Sequence, residues 1–436
     1  MASAYLQKQI TATNTTAITF SAWVKRSKLG YDAAAVFQTE NNSSDYLAMV
    51  FNGSDKIDFQ ITGTQNRRIT TRVFRDTNAW YHILVAIDSS QGSADDRIKL
   101  YINGSQETSF DTKTTNMSQG SNLSPIDATL NYAVGYYPGQ NTNYFDGQMA
   151  HVHYVVGTAY TPSTFGETDS TTGIWKPKVS PTGVNYGSKG FFLKFDNSAN
   201  MGLDSSGLTN NLTVSGTIIQ TKDTPSNVYA TGNILIKGAN SQSTASNIAL
   251  TATSGQNSWE ILSSTLAVNS GKWYAEFKMG ANIVECGIMD IDQMTTSDIY
   301  PGSVSRGFGY RNNGDVYKGG SGQSGTFASY TAGDIIGVAM DMTNNKLYLS
   351  KNGTFQNSGD PTSGSTGTGA LSIDSGYNYC FVFAAYNGNI SANFGNGQFG
   401  TSNIASAGSN GNGSLFEYDV PTGYYALNTE NIGTQS

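Results

Sequence analysis

The chain has 436 residues, of which 38% are hydrophobic and 13% charged, and its net charge is −7. This is too much apolar content for a disordered chain, and no Lys/Arg stripe exists to neutralise phosphates, so nucleic acid is excluded as a partner. No apolar run reaches membrane length, which excludes insertion into a bilayer. Met1-Ala2-Ser3-Ala4-Tyr5-Leu6-Gln7-Lys8 carries no signal-peptide pattern. The protein is expected either to stay in the cytoplasm or to leave it by another route, such as lysis.

Charge is scarce against the ordinary quarter or so of a soluble protein. Gly, Ser, Thr and Asn supply the polarity instead, and these residues favour turns and strand edges. The 25 tyrosines are strand-forming and interface-forming residues. Strand-like runs bounded by turn residues recur along the whole chain, and no convincing helix interrupts them. The first group comprises Ile18 to Lys25, Leu47 to Phe51, Lys56 to Ile61 and Gln148 to Val156. Between them lies an apolar strand from Trp80 to Asp88, a polar turn, and the strand Ile98-Lys99-Leu100-Tyr101-Ile102 closing on Asn103-Gly104. The apolar Ile98, Leu100 and Ile102 share one face, which predicts a sheet with one buried and one wet side.

A polar stretch, Tyr160 to Glu167, leads into a connector containing Gly190-Phe191-Phe192-Leu193-Lys194-Phe195 and Asp204-Ser205-Ser206-Gly207. Those phenylalanines need cover, so the connector is expected to pack back on the first domain. A second strand-rich region begins beyond Thr224-Pro225-Ser226-Asn227. Here Trp273, Ala275, Phe277 and Met279 alternate with polar residues. The earlier hairpin then recurs: Gly333 to Asp341, the turn Met342-Thr343-Asn344-Asn345, and Lys346-Leu347-Tyr348-Leu349-Ser350-Lys351 closing on Asn352-Gly353. A Ser/Asn/Gly stretch from Thr401 to Ser414 reads as a flexible spacer. The aromatic tail Leu415 to Asn428 should dock. The expected division is 1–170, a connector 171–232, 233–400, and a spacer with docking tail 401–436.

Phe20-Ser21-Ala22-Trp23-Val24-Lys25, Trp80-Tyr81-His82, Lys99 to Gly104 and Phe145-Asp146-Gly147 give the first domain a resemblance to laminin-G-like, concanavalin A-like lectins. Gly271 to Phe277, Gly307-Phe308-Gly309-Tyr310, Asp334 to Val338 and Leu347 to Gly353 make the second resemble a SPRY domain. Both families are built on concanavalin-like sandwiches. The implied fold is therefore all-β: two concanavalin A-like antiparallel jelly-roll sandwiches in tandem. Trp175-Lys176-Pro177-Lys178, the connector through Asp223-Thr224-Pro225, and Pro421-Thr422-Gly423-Tyr424 are similar to segments of marine tailed-bacteriophage proteins. That resemblance implies a component of the virion's exposed surface, on head or tail.

The concanavalin-like fold also hosts glycoside hydrolases, which need two carboxylates facing the scissile bond. Their Glu-x-Asp-x-x-Glu strand is missing. Asp290-Ile291-Asp292 and Glu167 with Asp169 are the nearest pairs, and a solvated strand end or loop is the plainer reading of each. His151 and His153 share a strand face at a metal-compatible spacing, but His82 is the only further histidine. The many Ser and Asp leave a Ser-His-Asp arrangement open, although no Gly-x-Ser-x-Gly elbow occurs. The 319–325 glycine loop lacks a phosphate cradle's Lys-Ser/Thr. Cys286 and Cys380 read as two buried thiols, with one disulfide open. The resemblance to legume-type and laminin-G-like sandwiches implies Ca²⁺ as a candidate cofactor on Asp88, Asp95, Asp96 or Asp146. Solvated turn aspartates are the competing reading.

Binding fits the composition better. Tyr136, Tyr137 and Tyr144, and Tyr310, Tyr317 and Tyr386, stand beside Asn, Gln and Gly. A flat ring with short amides suits a sugar face and equally a protein interface. The expected function is a non-enzymatic virion protein holding host-surface glycan or protein, with a capsid-decoration or fibre subunit as the alternative and a polysaccharide-degrading enzyme third. Other virion proteins and further copies of the chain are the expected partners.

Overall fold

The computed structural model describes residues 4–11, 15–42, 45–61, 65–123, 129–137, 143–236, 244–246, 249–251, 258–295, 298–400 and 402–435. The chain divides into two compact units, Met1–Gln220 and Thr221–Ser436. Strands dominate both, and the only α-helix among the described residues is Thr429–Gln435.

In the first unit an eight-stranded antiparallel sheet runs Phe110–Thr115, Asn66–Thr70, Ile57–Ile61, Asp45–Phe51, Ala34–Asn42, Thr129–Val134, Tyr5–Thr11 and Thr213–Ser215. A six-stranded sheet runs Phe191–Leu193, Gly147–Val156, Ala17–Arg26, Tyr81–Asp88, Ile98–Ile102 and Ser105–Gln106. Alternate side chains of each enter one shared core: Ile18, Phe20, Ile83 and Leu100 meet Phe37, Met49, Phe59 and Tyr132. The connector completes both sheets. Phe191–Leu193 pairs with Gly147–Val156, and Thr213–Ser215 pairs with Tyr5–Thr11. Phe191 and Leu193 point into the core, while Phe192 turns to the outer face against Trp23, Phe165 and Tyr186.

The second unit repeats the plan. Its larger sheet runs Thr244–Ser246, Ala249–Thr251, Asn389–Asn393, Lys272–Met279, Ile335–Asp341, Lys346–Lys351 and Thr354–Phe355, with Leu371–Ser372 and Tyr425–Ala426 as short additions. Its smaller sheet runs Glu260–Ser263, Tyr379–Tyr386, Ile283–Asp290, Gly307–Arg311, Val316–Lys318 and Ser321–Gly322. Trp273, Phe277 and Ile336 pack against Ile288, Phe308 and Phe383 between them. Tyr229 and Ala230, grouped with the connector on sequence, pack in this unit, so residues 221–232 belong to it.

The repeated hairpin has one geometry in both units. Asn103 and Gly104 have φ of 49° and 82°, and Asn352 and Gly353 have 48° and 80°. Each Asn side-chain oxygen accepts an amide at the start of the preceding strand, that of His82, its second residue, or of Ile335, its first, at 2.8 Å. Each Gly also lies under a ring. A Cβ at Gly104 would stand 3.0 Å from Trp175, and one at Gly353 would stand 2.7 Å from Tyr418.

The stretch 402–414, read as a spacer, is folded onto the tail. Gly408 N donates to Phe416 O at 3.0 Å, Asn410 Nδ2 to Val420 O at 2.6 Å and Asn412 Nδ2 to Tyr424 O at 2.9 Å. Short amide side chains satisfy tail carbonyls here, an ordering that composition does not reveal. Phe416, Val420 and Tyr424 of the tail are buried against Tyr274 and Tyr348. Glu276, fully buried, anchors the same segment by accepting the Glu417 and Tyr418 amides at 2.8 Å each.

Candidate functional site

None of the carboxylate pairs faces a common space. Asp290 is buried, accepts Arg306 Nε at 2.5 Å and caps the turn at Asp292 N, while Asp292 is exposed. Asp169 is held by Lys176 Nζ at 2.7 Å and by the Thr171 and Thr172 amides, and these donors depress its pKa. Glu167 points to solvent beside it. Each pair consists of one spoken-for and one solvated carboxylate, which is no acid–base couple.

The three histidines lie on the outer face of the first unit's six-stranded sheet, beneath the connector. His82 stacks on Trp23 at 3.7 Å, with its Nε2 2.8 Å from Ser21 Oγ. This resembles a catalytic Ser-His contact, but Trp175 Nε1–H donates to His82 Nδ1 at 2.9 Å. Nδ1 must therefore carry the lone pair and Nε2 the proton. His82 donates to Ser21 and cannot take its proton. Burial pushes the His82 pKa down to about 3 and that of His151 down to about 4. His153 is pushed well below the ordinary value by the same cause, with Nδ1 2.9 Å from the Tyr186 hydroxyl. His151 and His153 stack 6.4 Å apart, His151 within a bulge and His153 where the pairing resumes, and both lie against Phe192. They are packing residues of a covered face.

The four calcium candidates do not converge. Asp95 pairs with Lys113 at 2.9 Å and Asp96 with Lys99 at 3.1 Å. Asp88 caps its own turn at Ser90 N, and Asp146 is exposed at the start of another strand pair. No group of three His, Cys, Asp or Glu side chains suited to a metal occurs among the described residues. Cys286 and Cys380 are free and buried, one on the core face of the smaller sheet and the other on its outer face, so they cannot bond. Gly319–Gly325 carries only the short strand Ser321–Gly322 and turn.

The tyrosines separate into three fates. Tyr310 is not a loop residue. It lies within Gly307–Arg311, fully buried, with its ring edge-on to Tyr330 at 5.2 Å and its hydroxyl donated to Ala328 O. The alternation of that strand turns it inward, so it is removed from the binding candidates. Tyr317 and Tyr386 are half-buried on the outer face of the same sheet, beside Arg311 and Trp259 respectively.

Tyr136, Tyr137 and Tyr144 come together on the outer face of the eight-stranded sheet. Tyr136 is sandwiched between Tyr5 at 4.4 Å and Tyr144 at 4.8 Å, while Tyr137 meets Tyr46 edge-on at 6.0 Å. Beside them the strand register aligns one outward row, Gln7–Ala133–Gln38–Ala48–Gln60–Arg67, across six strands. Gln9, Asn131, Glu40 and Tyr46 form the next row. The alanines keep the floor low, and Ala35, Ala48 and Val50 pack under Tyr46 and Tyr137. Polar groups are chained along the row. Tyr46 OH donates to Gln60 Oε1 at 3.1 Å, Gln60 to Asp58 at 3.0 Å, and Arg67 grips Asp58 through two nitrogens at 2.9 and 2.5 Å. Gln38 donates to Glu40 at 2.7 Å, while its buried Oε1 accepts nothing. Tyr5, Tyr46 and the Gln/Asn row were missed on sequence. Strand pairing alone brings residues 5, 46, 131 and 136 to one face.

Residues 2–164 match the concanavalin A-like lectin/glucanases superfamily. Similar solved structures include the SPRY domain of human HERC1, at TM-score 0.30 and 16% identity over 40% of this chain and 99% of that one. The TRIM65 PSpry domain gives 0.30 and 13% over 38% and 89%. The native heptameric SAP-like pentraxin from Limulus polyphemus gives 0.28 and 14% over 37% and 72%. No curated protein matches the chain.

Proposed function

We propose that this chain is a non-enzymatic recognition protein that holds surface glycan on the outer face of its eight-stranded sheet. The observation that carries the reading is the Tyr5–Tyr136–Tyr144 stack set against an in-register amide row. Stacked rings offer flat apolar edges to a pyranose, and Gln7, Gln9 and Asn131, all exposed, offer paired donors and acceptors to its hydroxyls. The lectin-like family match of residues 2–164 supports a binding role. Two carboxylate pairs that each hold one engaged and one solvated member, and the proton on the wrong nitrogen of His82, argue against hydrolysis.

The setting we propose is the exposed surface of a bacteriophage particle, on the strength of the connector and tail segments quoted above. Many copies on one particle would make weak single sites sufficient. A glycan array with the full chain should give binding that Tyr144→Ala, which removes a half-buried outer ring of the stack, weakens about tenfold, the worth of one lost aromatic contact. Absence of retention on any glycan and on whole host cells defeats the proposal. Mass spectrometry of purified particles tests the setting separately.

A further inference from the structure

The smaller sheet of the second unit carries a different aromatic cluster, built around Arg311. Its guanidinium carbon lies 4.4 Å from the Tyr317 ring centre, 4.7 Å from Tyr300 and 5.2 Å from Trp259. Trp259 in turn packs against Tyr386 at 5.7 Å. Beneath the guanidinium is Glu285, fully buried, whose Oε2 takes Arg311 Nε at 2.9 Å and lies 2.8 Å from Nη2. The other Glu285 oxygen accepts Gly302 N at 2.8 Å. Two glycines make room for this arrangement. A Cβ on Gly309 would overlap Glu285 Oε1, and one on Gly302 would stand 2.5 Å from Tyr317 Cβ.

A buried carboxylate under an arginine is an expensive way to stabilise a sheet, since apolar packing would serve as well or better. What it does provide is a guanidinium fixed in position. The Arg311 side chain is still 20% exposed, and all four rings are half-buried rather than covered. Next to it Asn313 Nδ2 donates to Asp315 Oδ2 at 2.6 Å, and Asp315 also accepts the Tyr317 hydroxyl at 3.0 Å. Both Asn313 and Asp315 are exposed. The surface therefore joins flat rings to an arginine, an amide and a carboxylate.

Charge and occupancy narrow the ligand. Arg311 already fills the position over three rings that a bound cation would take. Glu285 cancels its charge, and Asp315 makes the rim negative, so an anion is repelled. A protein hot spot needs a dry apolar centre, yet among the described residues of the strands forming this face the strongly exposed aliphatic side chain is Ile283 alone, 39% exposed. We propose that the Arg311 cluster is a second carbohydrate site, taking an uncharged pyranose that stacks on the ring group and is hydrogen-bonded by Arg311, Asn313 and Asp315. It stands on different residues from the site on the first unit and does not depend on that reading.

The test uses the full chain labelled with 5-fluorotryptophan and followed by ¹⁹F NMR, with the Trp259 resonance assigned by its loss in Trp259→Phe. The probes are maltohexaose, cellohexaose, mannohexaose and tetra-N-acetylchitotetraose, with oligogalacturonate and a Lys-rich and an Asp-rich peptide as comparators. The expected result is a saturable shift of Trp259 by at least one uncharged oligosaccharide, with the core Trp273 unmoved. Tyr317→Ala and Asp315→Ala should each weaken it about tenfold, the loss of one stacking or charged hydrogen-bond contact. Tyr144→Ala, in the other unit, should leave it unchanged. The proposal is overturned if no uncharged probe shifts Trp259 at about millimolar concentration, if only a charged oligosaccharide or a peptide does, or if Tyr317→Ala and Asp315→Ala, with native chemical shifts elsewhere, bind as the parent does.

Discussion

Lowering the pH from about 7 to about 5 should weaken the first unit and strengthen the second, because their buried titratable groups are perturbed in opposite senses. His82 and His151 have folded pKa values of about 3 and about 4, against an ordinary 6.5. The folded unit thus refuses protons that the unfolded chain accepts. Each histidine's contribution is fully present above the ordinary value and is lost as pH falls below it, at about 1.4 kcal/mol per pH unit. Over this interval the loss is about 2 kcal/mol per histidine and roughly 4 for the two. His153 adds to it in the same direction. Glu276 behaves in reverse: burial raises its pKa from 4.5 to about 7. Its contribution is full below the ordinary value and declines as pH rises through about 7, so acidification returns roughly 2 kcal/mol to the second unit. Against a total stability of some 5–15 kcal/mol these are large terms. Urea titrations read by ¹⁹F-labelled tryptophans resolve the units, with Trp23 and Trp175 reporting the first and Trp273 the second. The first unit's midpoint should fall and the second's rise at the lower pH. His151→Asn, chosen because Asn tolerates the φ of 48° at this position, should remove about a third of the first unit's change. Equal shifts of both midpoints, or a first unit indifferent to pH, refutes the assignment of these burial effects.

Gly309→Ala should destabilise the second unit by about 3 kcal/mol in a urea melt, because the methyl displaces Glu285 and strands Arg311 without its partner. Asn103→Ala and Asn352→Ala should each cost about 1–2 kcal/mol, combining the lost side-chain hydrogen bond with a positive φ that alanine resists. The near-equality of the two losses checks the equivalence of the hairpins. Ellman's reagent should find no reactive thiol in the native chain and two in denaturant, since both cysteines are buried and unbonded. A native disulfide would show as none in either.

Local pattern carried most of the architecture. Period-two alternation in Ile98–Ile102 and Lys272–Met279 marks half-buried strands whatever surrounds them, and the all-β class follows from it. What that pattern could not show is which outward residues meet. Tyr136 and Tyr144 are near each other along the chain, but Tyr5 joins their stack only through the pairing of Tyr5–Thr11 with Thr129–Val134. Tyr310 reads as a loop residue because Gly309 precedes it and Asn312-Asn313-Gly314 follows closely, whereas here Gly309 serves close packing in a covered strand. Arg311, one residue on, passed unnoticed because nothing local marks an arginine whose carboxylate lies on another strand.

The sequence by itself determined the twice-written hairpin. The Asn-Gly turn, with its two positive φ angles and its side-chain bond to the strand opening, is a local device that any fold would keep. Tertiary structure decided what lies over it. In the first unit Trp175 of the connector covers the turn and donates to His82, fixing its tautomer. In the second, Tyr418 of the tail covers the turn and is anchored by Glu276. The physical reason is that a strand's pattern specifies only that one face needs cover; the segment that supplies it is chosen by contacts between residues far apart in the chain.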